Sequence, residues 1–200
     1  MTEKMLSRRA VLSGSFLRGL IKGVLPTFVP HLSAAETFTK VARTIPVHRP
    51  PGAVAEARFL TECTRCGDCQ TACPHQAITL ASERLRAAAG TPIINPVESP
   101  CLVCPDTPCI AACEPDVLTR VIDSPFPIMA TARVVTHDCL AHLGTPCFSC
   151  SERCPVPGAL NVVNGKPLID ASICVGCGIC AHVCPAPRPA IALLPRLDRP

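Results

Sequence analysis

Tryptophan and tyrosine are missing from these 200 residues, and only six phenylalanines occur. Large aromatic side chains therefore cannot fill an ordinary core. Strict Gly-X-Y periodicity is also missing, although 23 prolines and 11 glycines make the chain rich in turns. Such a composition would by itself suggest disorder, but sixteen cysteines argue otherwise. The chain has no run of about 18 uninterrupted apolar residues of the kind that spans a membrane. A broad basic surface is lacking too: residues 1–50 carry eight Lys or Arg against Glu3 and Glu36, whereas 51–200 carry eleven against thirteen acids. A near-neutral body without aromatics interleaved among cations lacks the footprint of nucleic-acid binding.

What the chain has is cysteine in order. Cys63, Cys66, Cys69 and Cys73 read C-x2-C-x2-C-x3-C-P, and Cys174, Cys177, Cys180 and Cys184 repeat it. Cys101, Cys104, Cys109 and Cys113 stretch the middle gap to four residues, and Cys139, Cys147, Cys150 and Cys154 stretch the first gap to seven. A cubane presents iron corners on several sides, so thiolates at every third residue of a tight loop can wrap three of them. The fourth cysteine then points away, and in bacterial two-cluster proteins it ligates the other cluster. The expectation is thus four 4Fe-4S clusters on all sixteen cysteines, with the blocks working in pairs. Zinc would use C-x2-4-C pairs meeting a distant second pair and has no use for a third cysteine so close. Disulfides need only an even count and leave the proline-terminated spacing unexplained.

Short strands follow the blocks. Ala77–Leu80 and Thr91–Ile94 read as a strand and its return, with a helical turn within Ser82–Ala89. Asn164-Gly165 between Leu160–Val163 and Lys166–Ile169 is a strong hairpin signal, because both positions tolerate positive φ in a type I′ turn; Pro167 confines its strand to an edge. Val117–Ile122 reads as a further strand, so that cysteine loop, short helix and strand recur as a repeat. The fold class expected is α+β, made of duplicated ferredoxin-like cluster-binding repeats, small and loop-rich. The chain has no evident substrate chemistry and reads as non-enzymatic. His75, His137, His142 and His182 lie near the blocks and read as solvated or supporting residues, since His replaces Cys chiefly in Rieske centres. The hairpin favours pairing the third block with the fourth; a nested pairing, first with fourth and second with third, is the alternative.

The leader, residues 1–50, holds Ser7-Arg8-Arg9, which looks like a twin-arginine export signal, and Ser33-Ala34-Ala35 could supply its cleavage site. Arg18 and Lys22 interrupt the apolar segment such a signal needs. The alternative is a retained basic helix over Val11–Leu25, with Phe16, Leu17, Leu20, Ile21 and Val24 on one face for peripheral contact with a partner or membrane surface. Arg49-Pro50-Pro51-Gly52 reads as linker, which sets the body at 51–200.

With the blocks in view, the chain resembles the NapF family of ferredoxin-type proteins of periplasmic nitrate reductase systems. The likeness covers most of residues 55–195. It rests on Phe59-Leu60-Thr61-Glu62-Cys63-Thr64-Arg65-Cys66, on Cys139-Leu140-Ala141-His142 with the delayed Cys147, and on Cys174-Val175-Gly176-Cys177-Gly178. The resemblance implies four clusters, residence in the cytoplasm, and a role assisting or maturing the molybdenum-containing nitrate reductase, whose catalytic subunit would be the redox partner. The second block, Cys101 to Cys109, is more like the NapG and MauM ferredoxin-type proteins, which implies exported electron transfer to respiratory enzymes as the alternative.

Overall fold

The computed structural model describes residues 46–120 and 126–196. The leader and its export or tail readings lie outside the described residues, apart from Pro46–Pro50. The body is built of five short helices and six short strands: α1 Glu56–Glu62, α2 Asp68–Thr71, β1 Ile78–Leu80, β2 Pro92–Ile94, α3 Pro108–Ala111, β3 Ala130–Val134, α4 Ser149–Glu152, β4 Leu160–Val163, β5 Lys166–Ile169, α5 Ile179–His182 and β6 Ile191–Pro195.

The strands form three antiparallel ribbons. β1 pairs β2 with Ile78 opposite Ile94, and a 3₁₀ turn at Glu83–Ala88 lies between them, as the sequence leads one to expect. β4 and β5 make the Asn-Gly hairpin, with Asn164 at φ 51° and Gly165 at 74°. The third ribbon pairs β3 with β6, Ala130 opposite Pro195 and Val134 opposite Ile191. Sequence reading missed it, because β3 is rich in small residues and its partner lies far along the chain. The strand expected at Val117–Ile122 reduces to one bridge between Leu118 and Ala53; Val117 and Leu118 are buried, and Val121 and Ile122 lie outside the described residues.

Nor is Arg49–Gly52 a linker. Arg49 is fully buried, its guanidinium paired with Glu56 (Nη2–Oε1 2.5 Å) and bonded to Thr91 Oγ1 (2.7 Å) and the Pro92 carbonyl (2.9 Å). It also lies 4.4 Å from the centroid of the Phe59 ring. A charge so desolvated persists only when paired and hydrogen-bonded, so this arginine ties the start of the body to α1 and β2. The main core joins Phe59, Ile78, Ile94, Val117, Leu118, Phe126 and Met129 to Val175 and to buried cysteines of the first, second and fourth blocks. The hydrocarbon is thin, and the cysteines sit inside it.

Candidate metal centres

Four helices of four residues each, α2 to α5, are built alike. Each carries the third cysteine of its block, Cys69, Cys109, Cys150 or Cys180, at its second position, and the fourth cysteine follows two residues beyond its end. Ahead of three of them the loop twice enters the left-handed region. Arg65 and Gly67 (φ 58° and 85°), Val103 and Thr107 (57° and 45°), and Gly176 and Gly178 (70° and 92°) each flank or precede a cysteine. Such alternation turns successive amides toward one concave face, which favours an anionic group. The third block, with its long first gap, enters α4 from Phe148 at φ −126° instead.

The sixteen cysteines line four cavities. Cys63, Cys66 and Cys69 line the first with Cys113, and Cys101, Cys104 and Cys109 line the second with Cys73. Cys174, Cys177 and Cys180 line the third with Cys154, and Cys139, Cys147 and Cys150 line the fourth with Cys184. In every case three cysteines come from one block and the last from its partner. The structure thus pairs block one with block two and block three with block four; the nested arrangement does not occur. Ala77 N–H donates to Cys73 Sγ (3.4 Å) and Ala190 N–H to Cys184 Sγ (3.3 Å), fixing two of the crossing thiols where the next segment begins.

All sixteen thiols are free of disulfides. Among the described residues, no group of three or more His, Cys, Asp or Glu is gathered to hold a single metal ion. Zinc would bring four sulfurs to about 2.3 Å from one point; each cavity here is instead lined by three cysteines of one block and the last of its partner, the crossed set that two-cluster iron-sulfur proteins use. Burial pushes the Cys69, Cys101 and Cys180 thiols up to about 12, and Cys109 and Cys177 to about 11, with neighbouring cysteine charges adding to the effect. To ionise, so many thiols crowded into a dry space need compensating positive charge, which iron would supply. The donor set and the crossing fit 4Fe-4S clusters.

The cavities also stand in order. Cys69 of the first is within electrostatic reach of Cys109 of the second, Cys101 of the second of Cys177 in the third, and Cys180 of the third of Cys150 in the fourth. At the middle junction Cys101 N–H donates to the Cys177 carbonyl (3.1 Å) and Met129 N–H to the Val175 carbonyl (2.9 Å). None of the four histidines lines a cavity except His75, which is exposed at the rim of the second. His182 Nδ1 bonds the Val97 carbonyl at 2.7 Å, His137 lies 3.5 Å from Asp138, and His142 is half-buried.

Comparison with known proteins places cluster-binding families over the first, second and fourth blocks. The family described as a 4Fe-4S dicluster domain matches residues 62–117, and a 4Fe-4S binding domain matches 165–186. The methylamine utilization ferredoxin-type protein MauM of Paracoccus denitrificans is 38% identical over 159 residues, 74% of this chain and 71% of its own length. The ferredoxin-type protein NapG of Escherichia coli is 37% identical over 161 residues, 74% of this chain and 70% of its own. The chain belongs to the ferredoxin-type NapG/MauM family. NapF of Escherichia coli matches at 31% over 145 residues, 68% of this chain and 79% of its own length. The likeness to NapF read from the first, third and fourth blocks is therefore the weaker one, and the NapG/MauM character of the second block marks the family. This NapG/MauM-type chain is an iron-sulfur, ferredoxin-type electron-transfer protein of mixed helix and strand. Among the described residues no helix is long and apolar enough to cross a membrane.

Proposed function

We propose that the chain carries four 4Fe-4S clusters, one per cavity, on the sixteen cysteines in crossed sets, and conducts single electrons along them in the order of the cavities to a docked redox enzyme. The observation that carries this reading is the exchange of the fourth cysteine between partner blocks, which makes two dicluster units joined at Cys101 and Cys177. The protein is a carrier rather than an enzyme: its cysteine-lined cavities are filled by the clusters themselves. Anaerobically purified protein is expected to be brown, with roughly sixteen irons and as many labile sulfides per chain. A colourless, iron-free and fully folded protein would refute the reading.

For the partner and the compartment two readings stand. The cytoplasmic accessory of the nitrate reductase catalytic subunit rests on the NapF likeness. We favour the exported electron-transfer subunit, because the C-x2-C-x4-C spacing of the second block is NapG/MauM-like and Ser7-Arg8-Arg9 precedes the body. N-terminal sequencing of the native protein separates them: a chain starting near Glu36 supports export, whereas an intact leader in the cytoplasmic fraction supports the accessory.

A further inference from the structure

The second cavity differs from the others in what stands at the entry to its helix. The residue before α2 is Gly67 and the residue before α5 is Gly178, both in the left-handed region that glycine adopts freely. The corresponding residue before α3 is Thr107, at φ 45° and ψ 59°. A β-branched side chain is out of place there, and nothing in the turn itself calls for threonine.

Two further facts concern its hydroxyl. Threonine ahead of a helix ordinarily caps it through the side-chain oxygen, yet Thr107 makes no such bond to α3. Its side chain is buried, with the residue only 5% exposed, and Oγ1 has no hydrogen-bond partner, although Thr107 lines the second cavity beside Cys104 and Cys109. An orphaned buried hydroxyl is costly, and one that lines a cavity calls for a physical reason. The loop is otherwise well tied: Thr107 N–H bonds the Cys104 carbonyl at 3.2 Å, and Arg120 holds the Asp106 carbonyl.

The residue that follows limits the donors at this helix entry. The first residue of α3 is Pro108, which has no N–H to give. The first residue of α3 thus offers the second cavity no amide, and a buried hydroxyl stands one position before it.

We infer that Thr107 is a potential-setting residue, its hydroxyl donating to a sulfur of the cluster in the second cavity and raising that centre's reduction potential. This inference rests on the cluster reading above. A reduced cluster carries one more negative charge than an oxidised one, so a donor aimed at its sulfur stabilises the reduced form; hydrogen bonds to sulfur are among the features that set such potentials. The Thr107 centre would then hold the electron longer than it otherwise could, immediately before the crossing at Cys101 and Cys177.

The test is a reductive titration of the full-length, anaerobically purified protein, followed by electron paramagnetic resonance, for wild type, Thr107→Val and Thr107→Ser. Thr107→Val keeps the branched shape and deletes the donor, so one midpoint potential should fall while the others stay in place. Thr107→Ser keeps the donor and should stay near wild type. Thr107→Gly suits the backbone and also lacks the hydroxyl; it should show the same fall and serves if Thr107→Val loads iron poorly. Unchanged potentials in Thr107→Val or Thr107→Gly, or a Thr107→Ser shift as large as theirs, would overturn the inference while leaving the cluster reading intact. Wild-type protein free of iron and sulfide would overturn both.

Discussion

Replacing Gly176 by alanine places a methyl group where the backbone of β3 already runs. A Cβ built on Gly176 would lie 2.3 Å from the Ala130 carbonyl oxygen, 2.5 Å from its carbon and 2.6 Å from its nitrogen, at a φ of +70°. The left-handed backbone costs an alanine about 1–2 kcal/mol. Overpacking adds about 1–3 kcal/mol, and the upper end applies because backbone atoms cannot swing aside as a side chain can. The sum, about 2–5 kcal/mol, is a large part of the 5–15 kcal/mol typical of a whole domain. The displaced loop carries both the Met129–Val175 and the Cys101–Cys177 hydrogen bonds, so the damage falls on the junction between the two halves. Gly144→Ala is the control: its φ is +93°, but a Cβ there meets nothing within 4 Å. Urea unfolding of the two iron-loaded variants, followed by the visible absorbance under argon, should show Gly176→Ala losing at least about 1 kcal/mol more than Gly144→Ala. The magnetic interaction between the second and third centres should weaken in parallel. Equal midpoints for the two variants would refute the role given to this close approach.

Further predictions concern the ligands, the buried charge and pH. Cys73→Ser should disturb the centre of block two and leave that of block one, with Cys113→Ser doing the reverse; resonance spectra showing each variant damaging its own block's centre would contradict the crossing. Arg49→Met breaks the buried ion pair with Glu56 and the bonds to Thr91 and Pro92, and should cost about 3–5 kcal/mol, as measured by thermal bleaching of the clusters. Because burial holds Cys69, Cys101 and Cys180 near 12, well above the ordinary 9.0, ligation must expel protons from them. Reconstitution of the iron-free chain with iron and sulfide should therefore keep accelerating from roughly pH 7 to 10. A plateau near the ordinary thiol value would argue that these cysteines are not protonated before loading.

The cysteine spacing made the centres readable, because a rigid inorganic cube permits few ways for a short loop to wrap it. The same holds for the β4–β5 hairpin, where Asn164-Gly165 dictates a local turn. Partner choice between blocks was only half legible: the hairpin pointed to blocks three and four, but the first-with-second pairing depends on where Cys73 and Cys113 project after α2 and α3. The β3–β6 ribbon was invisible, since an alanine-rich strand announces little and its partner lies some sixty residues on (130 against 195). Arg49 misled for a related reason. Proline and glycine around it speak of a turn, and only the distant Thr91 and Pro92 reveal that the turn is inside the protein.

The swapped last cysteine also sets a timetable for biogenesis. On the ligand sets proposed, the first two centres have every thiol they need once Cys113 has left the ribosome, while three thiols of the fourth, begun at Cys139, must wait for Cys184. The first pair of centres can mature while the second pair is still being made, and any factor that completes the fourth must hold off until Cys184 has emerged.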